Sequence, residues 1–410
     1  MAKDVKQVKK KIGSFSLMKR MNTALILNLI RERGTVSRIE IAKETGLTAA
    51  TVTNLTSELI DNNLVEEFST GVSTGGRKPI LLKINSSFFC VASASITPDR
   101  VEFAVSDFCA KIIFYKHIDI ASPTPQICVD FIIKSLNEFT LTNNTRVIGM
   151  GVGIHGIVDS ADGVSVYAPN LNWRNVNIKA LIKKHTDIPV MVDNDVRLMA
   201  LAQMWFGSSK NSDDFVLLYI GRGVGSAFVI DKKLIRGSND AAGEFGHTII
   251  DPDGPVCECG RHGCLQAFTN EAAMLSTLKE NLHKSSILNE NSLCDDIVDA
   301  YLNHSDKAAT EVINKEIKYL AIGISNIINM FNPSLIVLAS DIKDFDIAVA
   351  SRLTDEVKKY TVTSGNVNCN ISFSLLGRHS LLNGATALVL NSIYENPSVL
   401  WDNADTPDTK

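Results

Sequence analysis

The sequence predicts a small winged helix-turn-helix domain followed by an α/β body of two lobes. One observation is a change of charge: residues 1–86 carry 14 Lys and Arg against 8 Asp and Glu, and the remaining residues carry 27 against 37. Another is a set of three short helical patterns within residues 22–67, followed by two strand-like runs. The last is that strands are followed by helices twice over from residue 87 onward, a pattern typical of α/β proteins.

Length and composition limit the classes of protein that the chain can represent. At roughly 150 residues per domain, 410 residues predict two or three domains. Hydrophobic residues make up 45% and charged residues 21%, which excludes disordered and collagen-like chains. No apolar run approaches the ~18 residues that cross a bilayer, and the basic N-terminus lacks the apolar stretch of a signal peptide. We expect a cytoplasmic protein. It should consist of a winged helix-turn-helix head with a basic N-terminal arm (1–86), an α/β body (87–395) and a polar tail (396–410).

The helices of the head are marked by local capping signals. Ser37 and Glu40 have the spacing of a capping box at the start of the second helix, which is expected to end at Gly46. Thr48 can then cap a third helix whose inward stripe is Val52, Leu55, Leu59 and Ile60. The strand-like runs 63–67 and 79–84 enclose a glycine-rich, basic tip, so the sequence predicts a wing after the third helix.

Short polar residues on the first turns of the third helix suit a reader of the major groove. The two cations of the wing tip suit the phosphate backbone or the minor groove. The predicted DNA contacts are Thr48, Ala49, Thr51, Asn54, Gly76, Arg77 and Lys78. Two alternatives stay open, namely a solvated basic tail and a three-helix module that binds another protein.

Strands and helices alternate through the body. The predicted strands are 88–96, 101–108, 111–120, 147–158 and 215–230, and the predicted helices are 124–141, 175–185, 195–206, 270–283 and 307–331. A ligand is expected in the cleft between the two lobes.

The cysteine pattern predicts a metal site. Of the eight cysteines, three crowd into residues 257–264, and the others are scattered in apolar contexts as in a reducing compartment. His247, Cys257, Cys259 and Cys264 supply three thiolates and one imidazole, which complete a tetrahedral zinc shell with no open position. A structural zinc is therefore predicted. The alternatives are free cysteines near an unrelated histidine, and His262 as the fourth ligand.

A second group of residues is polar and carries no cation. Asn194 and Asp195 follow an apolar run, Glu244 precedes His247 by three residues, and Gln266 follows the cysteine loop. Carboxylates and amides accept from vicinal hydroxyl groups, so this set suits a neutral polyhydroxylated ligand. Asp195 could instead act as a general base on a sugar hydroxyl, and each residue taken alone is more often a surface or capping group.

At these residues the sequence resembles the ROK family of repressors and sugar kinases. The runs that carry the resemblance are 218–225, 241–247, the cysteine loop and 383–385, together with the N-terminal helix-turn-helix. The resemblance implies a two-lobed actin/hexokinase-like (ribonuclease-H-like) body, the zinc site above, and a homodimer or homotetramer on a palindromic operator. It also implies the sugar contacts Asn170, Asn194, Asp195, Glu244, His247 and Gln266.

Two departures separate this chain from the kinases of the family. Residues 92–99 contain no glycine where the kinases have a glycine-rich phosphate turn, and Arg222 stands in place of the threonine of the second phosphate turn. Gln266 also replaces a glutamate. We therefore expect a sugar-responsive repressor of carbohydrate genes with no catalytic residues. An ATP-dependent sugar kinase with an accessory head is the alternative, and a protein-binding scaffold is a third reading.

The resemblance also bears on the effector. The run 151–159, which contains His155, is most similar to the xylose repressors. A neutral sugar such as xylose is therefore expected, with glucose and N-acetylglucosamine as the other choices.

Overall fold

The computed structural model describes residues 15–70, 79–143, 145–210, 212–362 and 369–400. The head consists of α1 (Phe15–Arg33), β1 (Val36–Ser37), α2 (Arg38–Thr45), α3 (Ala49–Asp61), β2 (Val65–Thr70) and β3 (Ile80–Ile84). Its strands form an antiparallel sheet in the order β1-β3-β2, which confirms the predicted wing strands and adds β1. Helix α1 begins at Phe15, ahead of the predicted start at residue 22.

The capping signals of the head have the predicted geometry. The Ser37 side chain accepts from the Glu40 backbone N–H, while the Glu40 carboxylate accepts from the Ser37 backbone N–H at 2.8 Å. Helix α2 ends at Gly46, whose φ of +70° is the left-handed conformation that favours glycine. The Thr48 hydroxyl accepts from the Thr51 backbone N–H, so α3 begins where predicted.

The first lobe of the body is built on a five-stranded sheet in the order β11-β7-β4-β5-β6. Its elements are β4 (Phe89–Ile96), β5 (Arg100–Asp107), β6 (Ile112–Asp119), α4 (Pro125–Thr142), β7 (Arg146–Ile154), β8 (Ile157–Asp159), β9 (Val164–Ala168), β10 (Trp173–Asn177), α5 (Ile178–Lys183), β11 (Val190–Asn194) and α6 (Asp195–Phe206). The predicted strand 147–158 is divided into β7 and β8. The predicted helix 175–185 is shorter because β10 occupies its first residues.

The second lobe repeats the arrangement with the sheet β14-β13-β12-β15-β16. Its elements are β12 (Phe215–Ile220), β13 (Val224–Ile230), β14 (Lys233–Leu234), α7 (Gln266–Thr269), α8 (Glu271–Asn281), α9 (Cys294–His304), α10 (Lys307–Phe331), β15 (Leu335–Ser340), α11 (Phe345–Lys358), β16 (Asn370–Phe373) and α12 (Ser380–Glu395). In each lobe an antiparallel meander is followed by two parallel strands. This is the repeated-lobe architecture that the family resemblance implies.

Helices α6 and α12 lie between the lobes. They pack against each other, and α12 also covers β4 and β7. Buried Leu198 of α6 and Leu381 of α12 share one apolar cluster with Phe215 of the second lobe. A movement of one lobe relative to the other must therefore involve this helix pair.

The head shares a core with the body. Ile26, Ile30 and Leu59 of the head belong to the same buried cluster as Ile393 and Tyr394 of α12. The predicted tail 396–410 begins with a 3-10 turn at Pro397–Leu400, in which Pro397 is buried, and residues 401–410 lie outside the described part. Within the described ranges, every helix is too short or too polar to cross a membrane.

Candidate functional site

A cavity of about 470 Å³ opens between the two lobes. Its volume lies in the lower part of the ~300–1,000 Å³ range typical of small-molecule pockets. All six side chains that we predicted to contact a sugar line this cavity: Asn170, Asn194, Asp195, Glu244, His247 and Gln266. They come from both lobes, so the predicted position of the ligand cleft agrees with the fold.

Asn194 lines the cavity and also forms hydrogen bonds that fix the surrounding backbone. Its side-chain oxygen accepts from the Arg197 backbone N–H at 3.0 Å and thereby caps α6. Its amide nitrogen donates to the Gly156 carbonyl at 2.9 Å and to Asp195 Oδ1 at 2.7 Å. The capping role that we kept as an alternative is therefore observed, alongside a position at the cavity wall.

Asp195 and Asn170 are joined through His155. Nδ1 of His155 lies 2.8 Å from Asp195 Oδ2, and its Nε2 lies 3.2 Å from the Asn170 amide nitrogen. Desolvation lowers the pKa of His155, but the charge of Asp195 and the hydrogen bond to it outweigh that effect and raise the pKa above its ordinary value. His155 was not among the predicted site residues, because no spacing in the chain links it to Asp195.

The second lobe supplies the opposite wall. Gln266 Oε1 accepts from the Val224 backbone N–H at 3.1 Å, which fixes the amide at the start of α7. Desolvation in the cleft raises the pKa of Glu244, and the nearby charge of Asp195 adds to the shift. Arg261, which was not among the predicted residues, also lines the cavity and donates to Cys259 Sγ at 3.5 Å.

The four predicted metal ligands come together beside the cavity. The ligand atoms of His247, Cys257, Cys259 and Cys264 all lie within 4.8 Å of one another. Nδ1 of His247 is 3.5 Å from Cys257 Sγ, and Cys259 Sγ is 3.7 Å from Cys264 Sγ. Thiolates about 2.3 Å from a tetrahedral zinc are separated by about 3.8 Å, so the donor set and its spacing fit a metal ion.

The loop that carries the cysteines has one position where only glycine fits. Gly263 has a φ of +71°, and a Cβ at this position would lie 1.4 Å from the Asp251 carbonyl oxygen, so no side chain fits. His262, the alternative ligand, is exposed and lies 3.2 Å from the Gly254 carbonyl oxygen through its Nδ1. His247 is thus the histidine of the cluster. Its Nε2 lies 3.9 Å from Glu244 Oε2, on the side of the cavity.

The predicted DNA-reading face of α3 is exposed on the surface of the head. Thr48, Ala49 and Asn54 are exposed and Thr51 is partly exposed, while Val52, Leu55 and Leu59 are buried. The exposed face also includes Ala50, Thr53 and Ser57, which the sequence had not singled out. The predicted wing contacts Gly76, Arg77 and Lys78 lie outside the described residues.

The two turns that depart from the kinase pattern meet across the cleft. Arg222, in the turn between β12 and β13, donates to Asp99 Oδ2 at 3.1 Å from the turn between β4 and β5. Burial raises the pKa of Glu271, and the positive charge of Arg222 offsets part of that shift. Glu271 therefore lies close to this ion pair. The two turns are therefore joined by an ion pair that a second carboxylate flanks.

A buried ionic network also joins the two lobes. Asp193, which is fully buried at the end of β11, accepts from Arg197 Nε and from Arg236 Nη2, each at 2.6 Å. Arg236 follows β14 of the second lobe and also lies 3.5 Å from Asp240. This network was not predicted. It fixes the second-lobe loop against the helix that begins at Asp195.

Both parts of the chain match known protein families. Residues 96–392 match the ROK family, and residues 23–66 match a family described as winged helix-turn-helix DNA-binding. These two ranges correspond to the body and to the helical part of the head.

Individual relatives are similar over almost the whole length. A xylose repressor of Caldicellulosiruptor bescii is 31% identical over 399 residues, which cover 94% of this chain and 99% of the relative. A crystal structure of a ROK family transcriptional regulator, a homologue of the E. coli MLC protein, has a TM-score of 0.82 and 27% identity, covering 92% of this chain and 97% of that chain. A ROK glucokinase from Streptomyces griseus in complex with glucose and AMPPNP has a TM-score of 0.64 and 24% identity, covering 73% of this chain and 98% of that chain, and shows the shared fold alone.

Proposed function

The chain belongs to the ROK family, and from this premise we propose that it is a transcriptional repressor whose affinity for operator DNA is controlled by a small neutral sugar. The observation that carries the proposal is the presence, in one chain, of an open helix-turn-helix face and of a polar cavity between two lobes. A ligand in the cavity changes the affinity for DNA only as far as it binds one lobe arrangement better than another.

Contact with DNA is assigned to α3 and the wing. Thr48, Ala49 and Thr51 lie at the N-terminal turn of α3, where backbone N–H groups also face phosphate, and Asn54 lies in the next turn. Gly76, Arg77 and Lys78 are proposed as backbone or minor-groove contacts of the wing. A dimer would place two such heads about 34–36 Å apart on a palindromic operator, and a tetramer would pair two dimers. A chromosomal target places the protein in the cytoplasm.

The cavity is assigned to a neutral sugar. Its walls offer carboxylates and amides at Asn170, Asp195, Glu244 and Gln266, which suit hydroxyl groups, and His247 adds a ring nitrogen. The one cation among the lining side chains that the structure describes, Arg261, is turned toward Cys259. Xylose is the first candidate because of the similarity to a xylose repressor, and glucose and N-acetylglucosamine are the next.

A structural zinc is proposed on His247, Cys257, Cys259 and Cys264. When bound, zinc would hold the cysteine loop in one conformation and leave no position for chemistry. Because Nδ1 of His247 faces the cysteines and its Nε2 faces Glu244, the same ring borders both the metal and the sugar. A zinc ion that fixes the cysteine loop would then also fix the His247 ring at the wall of the sugar cavity.

A kinase activity is the competing proposal, favoured by the presence of Asp195 in the cavity. The pair of Asp99 and Arg222 opposes it, since phosphoryl transfer depends on backbone N–H groups and cations that cradle the phosphates. The side chains that face each other across these turns would have to separate before a nucleotide could enter.

Operator binding in the presence of sugars tests the proposal. Fluorescence anisotropy with a palindromic operator from the protein's own promoter region should give a Kd that rises when the inducing sugar is added. Asp195→Ala should keep the Kd without sugar and lose the change. No effect of any pentose or hexose on Kd or melting temperature would refute sugar control, and ADP release from ATP with one sugar would favour the kinase.

A further inference from the structure

The C-terminal half of α1 contacts the end of the body. Asn28 donates to the Tyr394 carbonyl at 2.9 Å, and Leu29 packs against the core that head and body share. The 3-10 turn Pro397–Leu400 also lies against α1, and the side chain of Leu400 packs against the same core. One face of α1 is therefore covered where the helix meets α12 and the turn that follows it.

The N-terminal half of the same face is apolar and exposed. Leu25 lies four residues before Leu29 and therefore on the same side of the helix, one turn earlier. Steps of three or four residues continue this row toward the N-terminus through Met21, Met18 and Phe15. The exposed fractions of the four side chains run from 46% at Leu25 to 81% at Phe15. A contiguous row of exposed apolar side chains beside an existing contact indicates a surface that another segment covers.

The described part of the chain ends beside this row. Trp401 follows Leu400 directly, and adjacent Cα atoms are about 3.8 Å apart, so the indole starts next to α1. Residues 401–410 lie outside the described part, and at about 3.3 Å per residue they span up to about 33 Å. The helix rises about 20 Å from Asn28 to Phe15. The segment 401–410 is thus long enough to reach every side chain of the row.

The charges of the two segments are opposite. Residues 15–25 of α1 include Lys19 and Arg20 and no acidic residue, whereas residues 401–410 include three Asp and one Lys. A second copy of α1 would bring the same two cations to the contact with no carboxylate from either row to offset them. The segment 401–410 supplies both an apolar ring and negative charge, so it fits the row better than a second copy does.

We propose that residues 401–410 fold back along α1 and cover its apolar row, with Trp401 packed against Leu25 and Met21. The segment then attaches the head to the end of the body a second time, next to the shared core. The contact uses neither the exposed face of α3 nor a side chain that lines the cavity, so it stands apart from the proposed function.

Iodide quenching of tryptophan fluorescence in the full-length protein tests the proposal. The difference between wild type and Trp401→Phe gives the signal of Trp401, which should be blue-shifted and protected. The double variant Met18→Gln, Met21→Gln should raise the quenching constant of Trp401 by about twofold or more, because a large ring loses the apolar surface on one of its faces. Met330→Gln, which changes an exposed methionine on α10, should leave the quenching constant at the wild-type value.

The other outcomes overturn the proposal. Equal quenching of Trp401 in wild type and in the double variant would show that the indole does not lie on the row, whether it is accessible in both or protected in both. Protection that falls when the protein is diluted would show that a second copy covers the row. Circular dichroism checks that the variants are folded, as expected for exposed positions. Should the double variant unfold, Met21→Gln alone takes its place, and the same direction of change is expected.

Discussion

Arg31 of the head lies over the ring of Trp205 in the body, with its guanidinium carbon 4.1 Å from the ring centroid. Trp205 is in the last turn of α6, a helix of 12 residues whose first residue is Asp195. At 1.5 Å per residue this helix spans about 18 Å. One rigid element therefore begins at the candidate sugar cavity and ends at the surface on which the DNA-binding head is docked.

Arg31→Ala should weaken the link between sugar and DNA. Operator binding without sugar should stay within about threefold of wild type, because Arg31 faces the body, while the sugar-induced rise in Kd should shrink by about three- to tenfold, within the usual range of coupling energies. Anisotropy titrations with and without sugar measure both values. Arg33→Ala is the matched control, since Arg33 pairs with Glu44 inside the head at 2.9 Å. Equal sugar responses in the two variants would show that this contact carries no coupling.

Arg236→Ala should destabilise the body. The buried carboxylate of Asp193 would keep Arg197 but lose its second partner, at a cost of about 1–3 kcal/mol in the free energy of unfolding. Urea denaturation followed by circular dichroism measures this cost. Lys232→Ala, which removes an exposed ion pair with Asp213, should cost about 0–1 kcal/mol. Equal costs in the two variants would contradict a stabilising role for the inter-lobe network.

Cys259→Ser should lose the metal. We expect wild type to contain zinc by atomic emission spectroscopy, and we expect the variant to lose most of it together with much of the sugar response, because three ligands no longer close the shell. Cys109→Ser removes another exposed cysteine outside the cluster and should leave the zinc content unchanged. A full sugar response in metal-free protein would refute the structural role of the metal.

Arg77→Ala should weaken binding to all duplexes by a similar factor. A phosphate contact contributes about one unit to the slope of log K against log salt, so the variant should have a slope lower by about one. Titrations at several salt concentrations, with operator and with unrelated DNA, measure the slope. An unchanged slope would remove this wing residue from the set of phosphate contacts.

The stability of the protein should depend on pH through His155. Desolvation lowers its pKa, but Asp195, and to a smaller extent Glu244 and Glu258, raise it to a net value above the ordinary one. Protonation therefore stabilises the folded state, and this contribution is fully present below the unfolded pKa of about 6.5 and lost as the pH rises through the raised value. Urea unfolding over a pH series should show wild type losing stability relative to His155→Asn in that window. Parallel pH profiles of wild type and His155→Asn would show that His155 does not cause the pH dependence of stability.

Local signals made the head and the cysteine cluster predictable. The capping box of Ser37 and Glu40 and the spacing of the cysteines are both encoded within short stretches. Helix α12 was missed because it is buried on nearly every side, with Leu381, Leu382 and Leu390 all inside, and so lacks an amphipathic period. The pairs His155–Asp195, Asp193–Arg236 and Arg31–Trp205 join distant segments, and no pattern along a single chain indicates which distant side chains meet.

The shared core of head and body has a consequence for biosynthesis. Ile393 and Tyr394, which pack with Ile26 and Ile30, are synthesised long after those two residues, because the body lies between the two segments in the sequence. Domains generally fold in the order of their synthesis, but here the docking surface of the head exists only once α12 has been made. A chain that has not yet reached α12 therefore carries the exposed face of α3 without the contact that holds the head to the body, so any coupling between cavity and head requires α12.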